Sequence, residues 1–263
     1  MGAIALASRY LKYRLSAKTR FKTHSPFVYD LINQVFRNNR YYSDFLLLDA
    51  YVEELKQKDS VIETTDFGAG SGESDYQVYL KSLGKIVKER SHTKTRLHLL
   101  YNLMKYFKPE TMLEFGTAAG VSSMYLKRGL PESSMVTMEG CPGLCAVARE
   151  NFKRIELDNI EVSNGNFDVI LPEVLQRFKK LDFVFFDGNH REEPTLNYFS
   201  QCVEKAHENT LFIFDDIHWS KGMEAAWNAI KLDKRVRLTI DIFWFGLVFF
   251  KKGVAKQDFI VKY

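Results

Sequence analysis

Long apolar runs are missing from this chain. No stretch approaches the roughly 18 consecutive apolar residues that span a bilayer, and the early "AIALA" is too short for the apolar part of a secretory signal. The second residue is glycine, but Leu6 stands where a myristoylation motif takes Ser or Thr. Cysteine is scarce. Cys141, Cys145 and Cys202 give an odd count with no Cys-x-x-Cys pair, which argues against a disulfide framework or a zinc site and fits a reducing cytoplasm. Acidic residues are absent before Asp30, where Arg9, Lys12, Arg14, Lys18, Arg20 and Lys22 all fall. Setting those six cations aside turns the formal charge of +4 into −2, so the basic character is local. A solvated helix face is the plain explanation. The sharper one is contact through residues 9–22 with an anionic partner, such as an acidic substrate or a membrane surface. No nucleic-acid-binding motif accompanies it.

What remains is a chain of 263 residues with 46% hydrophobic and 14% aromatic residues, enough to bury one large α/β domain with a smaller cap. Residues 1–108 read as mostly helical. "SPFVYDLINQVFR" has Ser25 as N-cap, Pro26 at the first helical position, and Phe27, Leu31, Ile32, Val35 and Phe36 at helical spacing. "DFLLLDAYVEELKQK" behaves likewise, and "TKTRLHLLYNLMKYF" lines up Leu97, Leu100, Met104 and Phe107. From residue 111 short apolar runs alternate with amphipathic segments: "TMLEF", "MVTME", "NIEVSN", "DFVFFD", "TLFIFD". That alternation predicts βαβ units and a parallel sheet with helices on both faces. "RVRLTIDIFWFGLVFFKK" leaves no room for a helix around Trp244 and Gly246, so it predicts an antiparallel hairpin.

Two glycine loops compete for a nucleotide-type ligand. "TTDFGAGSGESD", residues 64–75, is the richer in glycine. Its surroundings fail the test of context, because only Val61 and Ile62 are apolar before it and no second strand is expected until residue 111. It reads as a mobile surface loop, with a lid or substrate contact as the other use. "MLEFGTAAGVSS", residues 112–123, passes. It follows a buried-strand run, turns at Gly116 and Gly120, opens a helix that stops at Gly129, and leads to a strand ending at Glu139. An acid there can accept hydrogen bonds from both hydroxyls of a ribose.

The run Glu114-Phe-Gly-Thr-Ala-Ala-Gly120, the strand-end Glu139, the Asp187-Gly pair and the closing hairpin resemble class I S-adenosylmethionine-dependent methyltransferases over roughly residues 95–252. "EFGTAAGVSS" is most similar to the catechol-O-methyltransferase type of loop. "HSPFVYDL" and "DDIHWS" are similar to segments of a group of bacterial methyltransferase-like proteins. The resemblance implies a doubly wound, mainly parallel, seven-stranded Rossmann-like sheet closed by an antiparallel hairpin. Residues 1–93 would be a helical cap and 94–263 the cofactor-binding domain. It implies S-adenosylmethionine held by Glu114, Gly116, Thr117, Ala118, Gly120, Ser122 at the methionine end, Glu139, Gly140, and Gly165, Asn166 and Phe167 beside the adenine. A nicotinamide dehydrogenase competes on fold, but its Gly-x-Gly-x-x-Gly fingerprint is not met by Gly116-Thr-Ala-Ala-Gly120.

Asp187, Asp215 and Asp216 gather at the carboxyl ends of the fourth and fifth strands of that sheet. Packed carboxylates repel unless protonated or bridged by a cation, and an all-oxygen set suits Mg²⁺, Mn²⁺ or Ca²⁺. The metal-dependent enzymes resembled here carry Asp-Asn where this chain has Asp215-Asp216. The alternative is that Asp216 caps a helix and Asp187 orients the cofactor. The resemblance puts a general base at His190, with His218 as the second candidate. Trp227 reads as core and Trp219 as pocket lining. Phe27, Tyr29, Tyr41, Tyr42 and His24 are weaker candidates for the substrate wall. The expected activity is methyl transfer to a small-molecule oxygen nucleophile, in a monomer or a homodimer. The rivals are a catalytically idle cofactor-binding protein, a metal-free N-methyltransferase, and an interaction module built on the helical cap.

Overall fold

The computed structural model describes residues 3–66 and 77–263. In chain order it runs α1 (Ala3–Ser16), α2 (Pro26–Leu31), α3 (Ser43–Leu55), β1 (Val61–Asp66), β2 (Gln77–Ser82), α4 (Leu83–Arg90) and α5 (Lys94–Phe107). Then follow β3 (Thr111–Phe115), α6 (Val121–Gly129), β4 (Ser134–Glu139), α7 (Pro142–Arg154), β5 (Ile160–Asn164) and α8 (Phe167–Gln176). The remainder is β6 (Leu181–Phe186), α9 (Glu192–Cys202), β7 (Ala206–Asp215), α10 (Lys221–Leu232), β8 (Leu238–Asp241), β9 (Phe245–Phe249) and β10 (Gln257–Ile260). Two compact units emerge: residues 37–170, and residues 1–36 with 171–263. The segment 1–93, expected as one cap, divides between them.

Within residues 37–170, β4 pairs in parallel with both β3 and β5. Such strands need crossovers, and α6 and α7 supply them. Phe45, Leu48, Val52, Leu97, Tyr101, Tyr125 and Phe152 form one buried cluster drawn from α3, α5, α6 and α7. Each such side chain contributes roughly 1.5–3 kcal/mol of burial. Asp49 sits among them at 8% exposure. It accepts a 2.5 Å bond from Tyr125 Oη, meets His98 Nε2 at 3.0 Å, and lies 3.4 Å from Lys94 Nζ. The His98 ring is stacked on Phe45 at 3.7 Å. An apolar α3 stripe thus holds a carboxylate because α5 and α6 bring partners to it.

Residues 61–66 and 77–82 correct the helical reading of the first hundred residues. β1 and β2 pair antiparallel, with Val61 opposite Ser82 and Asp66 opposite Gln77. Alternation explains it: Thr64 is fully buried and donates from Oγ1 to the Tyr79 carbonyl at 2.7 Å, while Val61, Val78 and Leu80 face solvent. The glycine-rich stretch between these strands lies outside the described residues.

In the other unit β6 pairs in parallel with β7, and β9 runs antiparallel to β7 and β8, as the closing hairpin predicts. β10 adds a parallel partner to β8, so the described strands of the two ladders number eight where seven are expected. "QDFI" is short and mostly exposed, which hides it from an apolar-run reading. Trp227 is core, as expected. A Cβ on Gly246 would come within 2.7 Å of its ring, so that glycine lets α10 lie against β9. Among the described residues no helix is long and apolar enough to cross a membrane. All three cysteines are free and buried.

The Asp49 cluster yields a pH prediction. Burial alone would raise its carboxyl, but the bonds from Tyr125 and His98, with the charges of His98 and Lys94, bring it below its ordinary value of 3.8. A lowered carboxyl stabilises the fold above the ordinary value and loses that contribution as pH falls through the folded-state value. Asp49→Asn is expected to cost about 1–3 kcal/mol at neutral pH and to remove this acid-side loss. Urea unfolding at neutral pH and in acid checks both.

Candidate functional site

The turn after β3 is built from unusual backbone. Gly116, Ala118 and Gly120 have φ of 91°, 46° and 84°. A left-handed conformation suits glycine and costs other residues. Gly120 is fixed twice, because a Cβ there would lie 2.5 Å from the Phe152 ring of α7. The amides of Gly116, Thr117, Ala118 and Gly120 are already used. Gly116 and Thr117 donate to the Met138 carbonyl at 2.9 and 3.1 Å, and Gly120 to the Thr117 carbonyl at 2.7 Å. Ala118 N–H donates to Glu139 Oε2 at 2.8 Å. A turn whose amides point inward is a poor cradle for a pyrophosphate, which needs free N–H groups. It suits a ligand whose adenosine part carries no phosphate.

Glu139 ends β4 at 7% exposure. Its Oε1 accepts from Cys141 N–H at 2.9 Å while Oε2 accepts from Ala118 N–H. A carboxylate so oriented at a strand end is a group that can accept hydrogen bonds from vicinal hydroxyls. The neighbouring loop is braced on the same residue. Gly165 N–H and Asn164 Nδ2 donate to the Glu139 carbonyl at 3.0 and 2.9 Å, and Asn164 Nδ2 also reaches the Gly140 carbonyl at 3.1 Å. Gly165 has φ 153°, and a Cβ there would lie 2.5 Å from Ile170. Asn166 Oδ1 accepts from Asp168 N–H at 2.9 Å at the start of α8. Phe167 packs edge-on to Phe115 at 5.6 Å. Glu114, Gly116, Thr117, Ala118, Gly120, Ser122, Glu139, Gly140, Gly165, Asn166 and Phe167 therefore share one unit, on β3, β4 and the turns and helices that follow β3, β4 and β5.

Glu114 has a different role from Glu139. It is fully buried, and its Oε2 accepts from Ser123 Oγ and, at 2.6 Å, from Thr137 Oγ1. Thr137 also meets Thr117 Oγ1 at 2.6 Å. Its Oε1 has no hydrogen-bond partner among the described residues. Burial pushes this carboxyl above the usual range, against the opposing hydroxyls of Ser123, Thr137 and Ser122. Ser123 and Thr137 escape a motif reading. The available signal was a hydroxyl on the inner side of a strand or helix that is otherwise apolar.

The acidic residues belong to the other unit. Asp187 follows β6, Asp215 ends β7 at 3% exposure, and Asp216 holds the left-handed conformation at φ 52°. Asp216 N–H donates to the Trp244 carbonyl at 2.8 Å, and Trp219 N–H to the Asp216 carbonyl at 2.8 Å. His190, Asp215 and Asp216 each offer a ligand atom within 4.8 Å of the others. Asp187 reaches Asp215 within the same limit and lies 3.7 Å from His190 Nε2. The strand ends thus gather all four expected residues, with an imidazole nitrogen among the oxygens. Ser220, not Asp216, caps α10, its Oγ accepting from Met223 N–H at 3.0 Å.

His218 stands in a separate cluster. Its Nε2 meets Asp241 at 2.8 Å, its Nδ1 meets Glu224 at 3.3 Å, and its ring stacks on Phe243. Burial works against its cation, but the two carboxylates prevail and raise its pKa. Both nitrogens are engaged. Trp219 is 42% exposed.

Comparison with known proteins finds methyltransferases. Residues 113–217 match the family model described as a methyltransferase domain. A catechol O-methyltransferase of Niastella koreensis is 28% identical over 118 residues, 44% of this chain and 52% of that enzyme. The chain therefore spans about half the length of that relative. An SAH-bound methyltransferase of Podospora anserina superposes with a TM-score of 0.56 at 17% identity, covering 62% of this chain and 81% of the other. An O-methyltransferase of Bacillus cereus in complex with SAH gives a TM-score of 0.55 at 17% identity, covering 83% and 94%. At these identities the solved structures show the shared fold. Residues 113–217 are thus similar to a methyltransferase domain, the chain is similar in part to a catechol O-methyltransferase, and it shares the Rossmann-like fold of these solved methyltransferases.

Glu114 supplies the prediction here. A carboxyl raised in the folded state loses stability as pH rises from its ordinary 4.5 toward the folded-state value. Glu114→Gln keeps the shape and removes the ionisation. The variant is expected to match the parent in acid and exceed it in stability at neutral pH, by roughly 1 kcal/mol. Urea unfolding across the acid-to-neutral range checks the sign.

Proposed function

We propose that this protein is an S-adenosylmethionine-dependent methyltransferase acting on an oxygen nucleophile of a small molecule. One observation supports the cofactor: Glu139, an acid at the carboxyl end of β4, has its two carboxylate oxygens oriented by the Ala118 and Cys141 amides. In this reading those oxygens accept the ribose hydroxyls. Ser122 faces the methionine end, and Gly165, Asn166 and Phe167 border the adenine. In this reading residues 94–263 carry the methyltransferase part of the chain.

The donor set of Asp187, Asp215 and Asp216 fits a hard divalent cation such as Mg²⁺, because Asp215 has a carboxylate within 4.8 Å on either side, Asp187 in one grouping and Asp216 in the other, and neighbouring carboxylates need a countercharge. When bound, such an ion would lower the pKa of an acceptor hydroxyl. The chain's own contribution is positional. Asp215 and Asp216 fix the acidic end of β7, and His190, whose ring lies 3.7 Å from Asp187, is the base that takes the acceptor proton. Methyl transfer from a sulfonium is a direct displacement, so alignment of donor and acceptor is the main demand on the protein. His218 stays outside the proton path because its two nitrogens are already bound to carboxylates.

Three measurements test this reading. Calorimetric titration with S-adenosylhomocysteine is expected to show binding that weakens about tenfold or more in Glu139→Ala, the loss of charge-assisted hydrogen bonds. Transfer of labelled methyl to a panel of phenols and catechols is expected to require Mg²⁺ and to fall about 10²–10⁴-fold in His190→Ala, with cofactor affinity unchanged. His218→Gln should leave the pH profile of transfer in place. Absence of cofactor binding under every condition overturns the proposal. Cofactor binding with metal-independent transfer to amines would instead favour a nitrogen acceptor.

A further inference from the structure

The N-terminal helix has a fixed inner side. Tyr13 is buried, donates to the Val261 carbonyl at 2.5 Å and accepts from Tyr263 N–H at 3.2 Å. Arg9 pairs with Glu224 at 2.9 Å, and Tyr10 packs edge-on to Phe243 at 4.9 Å. These contacts set the rotation of α1. At 3.6 residues per turn, the opposite side presents Leu11 and Leu15 one above the other, and they are 62% and 81% exposed. Lys12 and Arg14 flank that ridge and are exposed. Beyond it a single 3-10 turn, Arg20–Lys22, holds Phe21 out at 78% exposure, with the Arg20 guanidinium 4.7 Å from its ring centroid. No acidic residue occurs before Asp30.

We infer that this face seats the protein on an anionic lipid surface. An apolar ridge bordered by Lys and Arg is the pattern of helices that lie in the interface plane, with leucines among the acyl chains and cations at the headgroups. Other occupants fit less well. A small anion or a nucleic acid would use the cations but has no use for the exposed Leu11, Leu15 and Phe21. A second copy related by a two-fold axis would bring Lys12, Arg14, Lys18 and Lys22 against their own equivalents, which repel. The anchor is a single helix and turn, so binding is reversible and salt-sensitive.

Sedimentation of the full chain with vesicles tests it, comparing pure phosphatidylcholine with phosphatidylcholine mixed with phosphatidylserine. Binding is expected only to the mixed vesicles, and is expected to weaken as salt is raised. Lys12→Glu with Arg14→Glu should weaken it at least about tenfold, each surface cation being worth about fivefold. Leu11→Ser, Leu15→Ser and Phe21→Ser together should abolish it. Circular dichroism and S-adenosylhomocysteine affinity should not change in either variant, since none of these side chains is buried. Equal binding to both vesicle types, no binding to either, or binding that ignores the substitutions overturns the inference. So does a Leu11- and Leu15-dependent dimer, or retention of an RNA or DNA oligonucleotide in place of the vesicles.

Discussion

Much of the candidate site depends on one carboxylate. Glu139 links the turn after β3 to the turn after β4 through two backbone amides, and its carbonyl receives the loop after β5. Three successive strand ends are thereby tied to one residue. A charge at 7% exposure is costly unless hydrogen-bonded, and here the bonds that offset the cost also fix the loops. In the proposed reading the same carboxylate receives the ribose hydroxyls. Stability and ligand recognition therefore draw on one set of interactions.

Division of labour between the two buried acids of this region follows from their surroundings. Glu139 meets backbone amides at a strand end. Glu114 meets hydroxyls, has no exposed surface and is pushed toward its neutral form. The histidines divide in a similar way. His218 is clamped by Asp241 and Glu224 behind Phe243, whereas His190 lies at the strand ends among Asp187, Asp215 and Asp216. Sequence position alone makes the two histidines look equivalent, since each follows a strand-end Asp closely. Their partners come from distant segments, and that is what separates them.

Legibility in the sequence tracked burial. β3, β4, β6 and β7 were readable because strands covered on both faces are nearly continuous apolar runs. Ser25 and Pro26 marked the start of α2, and Ser25 Oγ accepts from Val28 N–H as a cap should. The β1–β2 pair and β10 were missed, because exposed or edge strands keep polar residues and resemble loops or helices by composition. The strand-end acids could be placed from strand order. The Ser123–Glu114–Thr137 network could not, since a buried hydroxyl differs from a surface one only through its neighbours.

The most direct measurement is a crystal structure of the protein grown with S-adenosylhomocysteine. The ribose hydroxyls are predicted to lie within hydrogen-bonding distance of the Glu139 carboxylate, with the Ala118 and Cys141 amide contacts kept. A ligand bound elsewhere, or one whose ribose turns away from Glu139, would contradict the proposed cofactor site.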